Sequence, residues 1–104
     1  MVRHRLHMVF ALGRFNEGVQ WVQELNDACR AAGCVEGKLW SAGFGKVNEC
    51  VVEYDYPDLA AMERDIERFQ STAGTMAIFR RGVDVGAPEH WPWDELLIES
   101  PTLA

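Results

Sequence analysis

The stretch that decides the fold covers residues 45–63 and reads GKVNECVVEYDYPDLAAME. It joins a glycine-containing turn, an alternating strand and the start of a helix in direct succession. Residues 43–46, GFGK, link this strand to a preceding strand-like run, which is a hairpin signal. Asp55 is predicted to cap the following helix, with Pro57 in its first turn. The stretch therefore predicts a hairpin followed directly by a helix, and it leaves Asn48 among residues that otherwise read as core.

The flanking residues complete the order strand, helix, strand, strand, helix, strand. Residues 2–12 alternate between two faces, one of them apolar, as a half-buried strand does. A helix is predicted from an Asn16 cap to the C-terminal glycine Gly33. Apolar side chains at helical steps over residues 59–76 predict one continuous second helix, and residues 93–99 read as the last strand.

With right-handed crossovers, this order predicts a ferredoxin-like α+β fold, in which a four-stranded antiparallel sheet carries two helices on one face. The length predicts a single domain over residues 1–104. The first and third strands are neighbours in this arrangement. Because the helices cover only one face of the sheet, the opposite face is available for a partner.

Composition narrows the classes of partner. The formal net charge is −6 and the pI is about 4.9, which disfavours nucleic acid and anionic membranes. The apolar runs are too short to cross a bilayer, and a cytoplasmic protein with reduced cysteines is expected. His4 and His7 lie on opposite strand faces and no residue set has ligand spacing, so no metal site is predicted. No cofactor is predicted either; haem would need an axial histidine, for which His90 is the one candidate.

The sheet face away from the helices is predicted to form a homodimer interface. Arg5 and His7 on the first strand are expected beside Glu49 and Glu53 on the third, amid large apolar groups. Matched charge mixed with apolar surface suits a subunit interface better than bare solvent. The residues assigned to this interface are Arg5, His7, Trp40, Glu49, Val51 and Glu53.

Residues 40–65, WSAGFGKVNECVVEYDYPDLAAMERD, resemble the tryptophan–glycine–asparagine–tyrosine pattern of NIPSNAP-type domains in the dimeric α/β-barrel superfamily. The matching residues are Trp40, Gly45, Asn48, Tyr54, Leu59, Ala60, Ala61 and Glu63. The resemblance implies a dimer in which two sheets pack into a barrel. Superfamily members that are enzymes usually have their active site in a cleft between the sheet and its own helices. They include cofactor-free monooxygenases of aromatic polyketides, haem-degrading monooxygenases and lactone isomerases.

That implied cleft directs attention to polar side chains on the helix-facing side of the sheet. His4 or His90 would move protons, since histidine titrates nearest neutral pH. Asn48 and Tyr54 would orient a carbonyl or phenol; alternatively, Asn48 bonds loop backbone and fixes the hairpin register, and Tyr54 only packs its ring. The further ligand-binding candidates are Ser41, Arg80, Arg81, Trp91 and Trp93.

The two arginines either steer an anionic substrate or complement the helix dipole. The two tryptophans either form a lid over an aromatic ligand or pack at the sheet edge.

The sequence thus predicts a small homodimeric protein that binds an apolar or aromatic molecule in a sheet–helix cleft. Cofactor-independent monooxygenase, isomerase or cyclase activity is the catalytic hypothesis. A non-catalytic dimerisation or ligand-sensing module of NIPSNAP type is the alternative.

Overall fold

The computed structural model describes residues 1–101, so the end of the predicted 1–104 domain lies outside the described part of the chain. Its elements are β1 (Val2–Val9), α1 (Phe15–Ala32), β2 (Lys38–Ser41), β3 (Glu49–Tyr56), α2 (Leu59–Ser71), α3 (Ala73–Arg80), a 3₁₀ turn (Arg81–Asp84) and β4 (Trp93–Ile98). No helix among residues 1–101 is long and apolar enough to cross a membrane.

The strands form one antiparallel sheet in the order β2-β3-β1-β4, which confirms the ferredoxin-like prediction. β1 lies between β3 and β4: all its residues pair with β3, and residues 2–7 also pair with β4. His4, for example, pairs with Tyr54 on β3 and with Leu96 on β4. Directly paired residues share a face of the sheet, and the predicted facing of the strands is therefore confirmed.

The core lies between the sheet and α1. Met8, Phe10 and Val52 are buried on the helix-facing side of the sheet, and Leu25 of α1 is buried against it. The alternation that predicted this side is real, because residues two apart on a strand project from the same face. α3 packs against α1, and α2 packs against β3.

The second helix differs from the prediction in its start. β3 continues to Tyr56, and Asp58, not Asp55, is the N-cap of α2, where its carboxylate accepts a hydrogen bond from the Ala61 N–H at 2.8 Å. Asp55 remains in the strand because Arg3, its partner on β1, donates two hydrogen bonds to it at 2.7 and 3.1 Å. Asp55, which the local sequence predicts as a helix cap, therefore forms a cross-strand ion pair instead.

The second helix also does not run continuously through residues 59–76. It ends at Thr72, which has an extended backbone, and α3 begins at Ala73. The Thr72 hydroxyl donates to the Arg68 carbonyl at 2.7 Å, and the buried Thr75 hydroxyl lies 2.9 Å from the Thr72 carbonyl. The Thr72 hydroxyl thus satisfies a carbonyl that the interrupted helix leaves without its usual N–H donor, whereas the Thr72 carbonyl also accepts from the Met76 N–H of α3 at 3.2 Å. The sheet thus carries three helices instead of two.

The first helix starts one residue before its predicted cap. Arg14 occupies the N-cap position without a side-chain cap, and Asn16 lies inside α1. At the other end the prediction is confirmed, since Gly33 has a left-handed conformation with φ of 76°. Arg14 is held instead by Glu17, which accepts its guanidinium hydrogen bonds at 2.6 and 2.9 Å.

Asn48 connects the hairpin to the end of β1. Its backbone is left-handed, with φ of 64°, a conformation that asparagine tolerates better than most residues. Its side-chain amide donates to the Ala11 carbonyl at 3.0 Å, and its own carbonyl accepts from the Phe10 N–H at 3.0 Å. The β2–β3 pairing ends at Ser41 and Cys50, so the connection is longer than the link predicted over residues 43–46.

This geometry predicts different losses for two substitutions of Asn48. Asn48→Gly removes the side-chain hydrogen bond but accepts positive φ, and should lower the free energy of unfolding by about 1 kcal/mol. Asn48→Ala adds the cost of a left-handed alanine and should lose about 2 kcal/mol. Chemical denaturation measures both values. Equal losses in the two variants would show that backbone conformation contributes nothing at this position.

Candidate functional site

A cleft separates the helix-facing side of β1 and β4 from α2, α3 and the segment that follows α3. It contains two chambers of about 550 and 480 Å³. Both chambers are lined by Leu6 and Phe79, which makes these residues their common wall. The cleft exists because β4 is poorly covered: Leu96 and Ile98, on its helix-facing side, are 45% and 62% exposed. Two cavities of this size suit small organic ligands.

The larger chamber, called here the apolar chamber, is lined almost entirely by hydrocarbon and aromatic groups. The lining residues that define it are Met8, Phe10, Trp21, Phe79, Pro88 and Trp91. The Trp21 indole N–H donates to the Ile78 carbonyl at 2.7 Å, so its polar atom is satisfied without a ligand. Gly82 lies against the same ring: a Cβ there would be 2.5 Å from a ring carbon, so a larger residue would displace the indole.

The smaller chamber, called here the polar chamber, holds an imidazole–carboxylate pair. His4 Nε2 lies 2.6 Å from Asp94 Oδ1, and the two residues face the chamber from neighbouring strands. An ionised carboxylate only accepts hydrogen bonds, so a neutral His4 must carry its proton on Nε2 and its free lone pair on Nδ1. The His4 ring also stacks on the Tyr54 ring, with centroids 5.6 Å apart. This pair holds a proton acceptor in a fixed tautomer.

Two tyrosines and a buried aspartate line the same chamber. The Tyr56 hydroxyl donates to Asp65 Oδ2 at 2.7 Å, and Asp65 Oδ1 accepts from the Val35 N–H at 2.9 Å. Burial raises the pKa of both Tyr54 and Tyr56, and the Asp65 carboxylate raises the pKa of Tyr56 further. Both phenols therefore stay protonated at neutral pH. The Tyr54 hydroxyl has no hydrogen-bond partner among residues 1–101, which leaves it available to a ligand.

The structure separates the predicted ligand-binding residues into those on the cleft and those away from it. Asn48 lines neither chamber, and its amide is occupied by Ala11, which favours the structural interpretation of this residue. Ser41 lies exposed on an edge strand and also lines neither chamber. Neither Arg80 nor Arg81 lines either chamber, and Arg80 lies in the last turn of α3, which favours the alternative role of complementing the helix dipole. Arg81 is instead paired with Glu24 of α1.

Of the two tryptophans predicted to form a lid, only Trp91 lies at the cleft. Trp91 lines the apolar chamber and is 88% exposed, and His90 lines that chamber as well. Trp93 is on the opposite face of the sheet, where its ring stacks on His7 at 3.8 Å between centroids with parallel planes. Trp93 therefore does not close the cleft, because β4 begins at this residue and its alternation directs the side chain away. Of the two proton-transfer candidates, only His4 has a carboxylate partner within residues 1–101.

Sequence reasoning missed several residues of the cleft, among them Asp65, Asp94 and Phe79. Asp94 could have been found, since it lies two residues from Leu96 on a strand and must share its face. Asp65 follows Met62 by three residues on a helix and therefore lies near its apolar side. Phe79 could not be placed, because its position depends on the break between α2 and α3.

The face of the sheet opposite the helices, called here the open face, carries a ladder of ion pairs across three strands. Glu53 accepts from Arg5 at 2.9 Å and lies 3.4 Å from Arg3. Glu95 on β4 lies 3.1 Å from His7 and 3.4 Å from Arg5. The predicted neighbourhood of Arg5 and Glu53 is confirmed. The expectation that His7 lies beside Glu49 is wrong, because Glu49 pairs with Val9 and the imidazole turns toward β4.

These contacts lower the pKa values of two acids on the open face. Hydrogen bonds from Arg3 hold the pKa of Asp55 below its usual range, and hydrogen bonds from His7 and Arg5 do the same for Glu95. Trp40, Trp93 and Leu97 are exposed beside the ladder, so charged and apolar groups alternate over the open face. This composition is the one predicted for an interface.

Metal and thiol chemistry have little support in this geometry. Within residues 1–101, His, Cys, Asp and Glu side chains do not gather in groups of three or more that could hold a metal ion. All three cysteines are buried and free. Burial raises the pKa of Cys29 and of Cys50 to about 11, so neither thiol is an available thiolate at neutral pH.

Fold and cleft together define the class: an α+β protein with a ferredoxin-like sheet and a ligand-sized space between that sheet and its helices. No protein-family model and no curated protein matches the sequence. Solved structures do match. A NIPSNAP domain protein from Burkholderia xenovorans aligns with 100% of this chain and 99% of its own, at a TM-score of 0.78 and 18% identity.

Two further solved structures extend the comparison. A NIPSNAP family protein from Agrobacterium tumefaciens aligns over 95% of this chain and 92% of its own, with a TM-score of 0.74 and 12% identity. An antibiotic biosynthesis monooxygenase aligns over 97% and 100%, with a TM-score of 0.71 and 14% identity. At these identities the likeness shows a shared fold. The predicted resemblance to NIPSNAP-type domains is confirmed at that level.

Proposed function

We propose that this protein binds an apolar or aromatic small molecule in the cleft between its sheet and its helices. The observation that carries the proposal is the pair of adjoining chambers, about 550 and 480 Å³, with Leu6 and Phe79 as their common wall. Aromatic rings line both chambers, and rings supply large contact area together with specific stacking geometry. The solved monooxygenase of antibiotic biosynthesis supports the proposal, since it has the same fold.

Filling the polar chamber should block binding there. We expect wild type to enhance the fluorescence of Nile red, a neutral apolar dye, and Leu96→Trp to weaken its affinity at least tenfold by occupying the chamber wall. Ile98→Trp is the matched control: it adds the same ring to the same side of β4, two residues away and outside both chambers. Fluorescence titration measures the three affinities. A dye that binds all three proteins equally would place binding outside the polar chamber.

We further propose a homodimer that packs open face to open face. The support is the juxtaposition of the charged ladder with the exposed side chains of Trp40, Trp93 and Leu97. Several large apolar side chains exposed on one face are a liability in a monomer. The arginine–glutamate pairs would fix how two copies align with each other. Two further apolar residues of this face, Val9 and Val51, are only partly buried in one chain.

A charge at the centre of the open face should separate the subunits. Val51, which pairs with His7 and Trp40, is the residue to change. Val51→Glu places an unpaired carboxylate in the interface and should raise the dimer dissociation constant at least tenfold. Ala31→Glu, on the exposed side of α1, adds the same charge as a control. Sedimentation at micromolar concentration reports the mass, and a wild-type mass of 11.8 kDa would contradict the proposal.

Catalysis is favoured by one specific observation, the His4–Asp94 pair in the polar chamber. A base that removes a proton from a hydroxyaromatic molecule makes it electron-rich enough to react without a bound cofactor. Cofactor-independent oxygenation, isomerisation or cyclisation each begins with such a proton transfer. The Tyr54 hydroxyl would then donate to the substrate oxygen, since its raised pKa keeps it protonated. The alternative is a ligand-sensing or dimerisation module, which binds without turnover.

Oxygen uptake with a dihydroxynaphthalene, in the absence of added metal or cofactor, separates these alternatives. If the protein is an oxygenase, His4→Gln should lower the rate by about 100-fold, the size of a general-base contribution. Glu67→Gln, a charge change on the exposed side of α2, should leave the rate unchanged. If His90→Gln loses the rate and His4→Gln keeps it, His90 transfers the proton and the role proposed for His4 is wrong. Binding of the naphthalene without uptake would favour the module.

A further inference from the structure

The polar chamber contains a buried acid without a counter-ion. Asp65 is 8% exposed, and both its oxygens accept hydrogen bonds, as those of an ionised carboxylate do. Within the described part of the chain, no Lys, Arg or His nitrogen lies within 4 Å of it. Its donors, the Tyr56 hydroxyl and the Val35 N–H, are neutral. Buried charges in proteins are usually paired, so a buried Asp65 whose donors are all neutral favours a cationic group in the chamber that it faces.

The rest of the chamber has the same sign. Asp94 supplies a second carboxylate to the lining, and its only basic partner in residues 1–101 is His4. Glu95 reaches the lining too, but its carboxylate is paired with Arg5 and His7 on the open face. No lysine or arginine side chain lines either chamber. The cleft therefore opposes anionic ligands, and nothing in its walls replaces the steering role predicted for Arg80 and Arg81.

Aromatic rings complete an environment suited to a cation. Tyr54, Tyr56, Phe69 and Phe79 line the polar chamber together with the two carboxylates. The faces of such rings attract ammonium groups at close range, and the attraction grows when water is excluded. The free Tyr54 hydroxyl can accept a hydrogen bond from an ammonium group through its oxygen lone pairs. Rings and carboxylates thus favour the same ligand class from different sides of the chamber.

From Asp65, which has no counter-ion within residues 1–101, the Asp94 carboxylate and the ring-lined chamber, we infer that the ligand is an arylalkylamine, an aromatic ring that carries an aliphatic amino group, in its ammonium form. Its apolar part extends toward Phe79 and the apolar chamber, and its charged group lies in the polar chamber. This inference rests on the proposed binding function and assigns a charge to the ligand of that same cleft. Neutral aromatic molecules bind more weakly, and aromatic carboxylates weakest.

Three probes of matched shape test the charge preference: naphthylmethylamine, naphthylmethanol and naphthoate. Calorimetric titration should give at least tenfold tighter binding for the amine than for naphthoate, with the alcohol between them. Asp65→Asn and Asp94→Asn should each reduce the amine-to-naphthoate ratio about threefold to tenfold. Asn keeps a hydrogen-bond acceptor at each position, so affinity for the neutral alcohol should change less than twofold.

Glu67→Gln controls for the overall charge of the protein, because it removes one acid from the exposed side of the same helix that carries Asp65. It should leave the ratio unchanged. Circular dichroism before titration identifies any variant that fails to fold. If Asp65→Asn fails to fold, Asp94→Asn still decides the test, because the Asp94 side chain is 70% exposed and its replacement leaves the core intact.

Equal affinity for the three probes, or a ratio that Asp94→Asn leaves intact, would overturn the inference while the proposed cleft stands. Failure of all three probes and of Nile red to bind would overturn both.

Discussion

The structure depends on β1 being paired on both sides, with β3 along its whole length and with β4 over residues 2–7. Double pairing fixes the register of the whole sheet, and a slip of one residue would move every side chain to the wrong face. The even-numbered residues of β1, among them Leu6 and Met8, then build the core and the wall of the cleft. The odd-numbered ones, among them Arg3 and Arg5, build the ladder of the open face. One eight-residue strand therefore positions both candidate functional surfaces.

The cleft follows from how the helices divide the sheet between them. α1 covers the centre, α2 packs on β3, and α3 turns back onto α1, so the helix-facing side of β4 is left with little cover. The break at Thr72 contributes to this arrangement, because a continuous helix would carry Phe79 in a different direction. The interruption and the cleft are thus one feature of the fold. Its hydroxyl–carbonyl hydrogen bonds compensate for the intrahelical bonds that are lost.

Most of the architecture could be predicted because it rests on periodicity. Alternation placed Leu6, Met8 and Val52 on one face. Helical spacing predicted α1 and the apolar side of α2. What failed was decided by contacts distant in sequence. Asp55 reads as a cap until Arg3 pairs with it across the sheet, and His7 turns from Glu49 because Glu95 and Trp93 approach it from β4. Local patterns carry no information about such partners.

The candidate site was less predictable for the same reason. His4 was among the predicted proton-transfer candidates, but the carboxylate beside it, Asp94, lies 90 residues away in sequence. The strand that carries Asp94, β4, is an edge strand, and within residues 1–101 its backbone pairs only with β1. On the cleft side it is held by Asp94 with His4, and on the open face by Glu95 with His7. Two adjacent acids of β4 thus bind two histidines of β1 from opposite faces of the sheet. A ligand that draws Asp94 away from His4, or a partner subunit that draws Glu95 away from His7, acts on the same short strand. The two proposed functions therefore share a structural support, and a shift of β4 caused at one surface must alter the other.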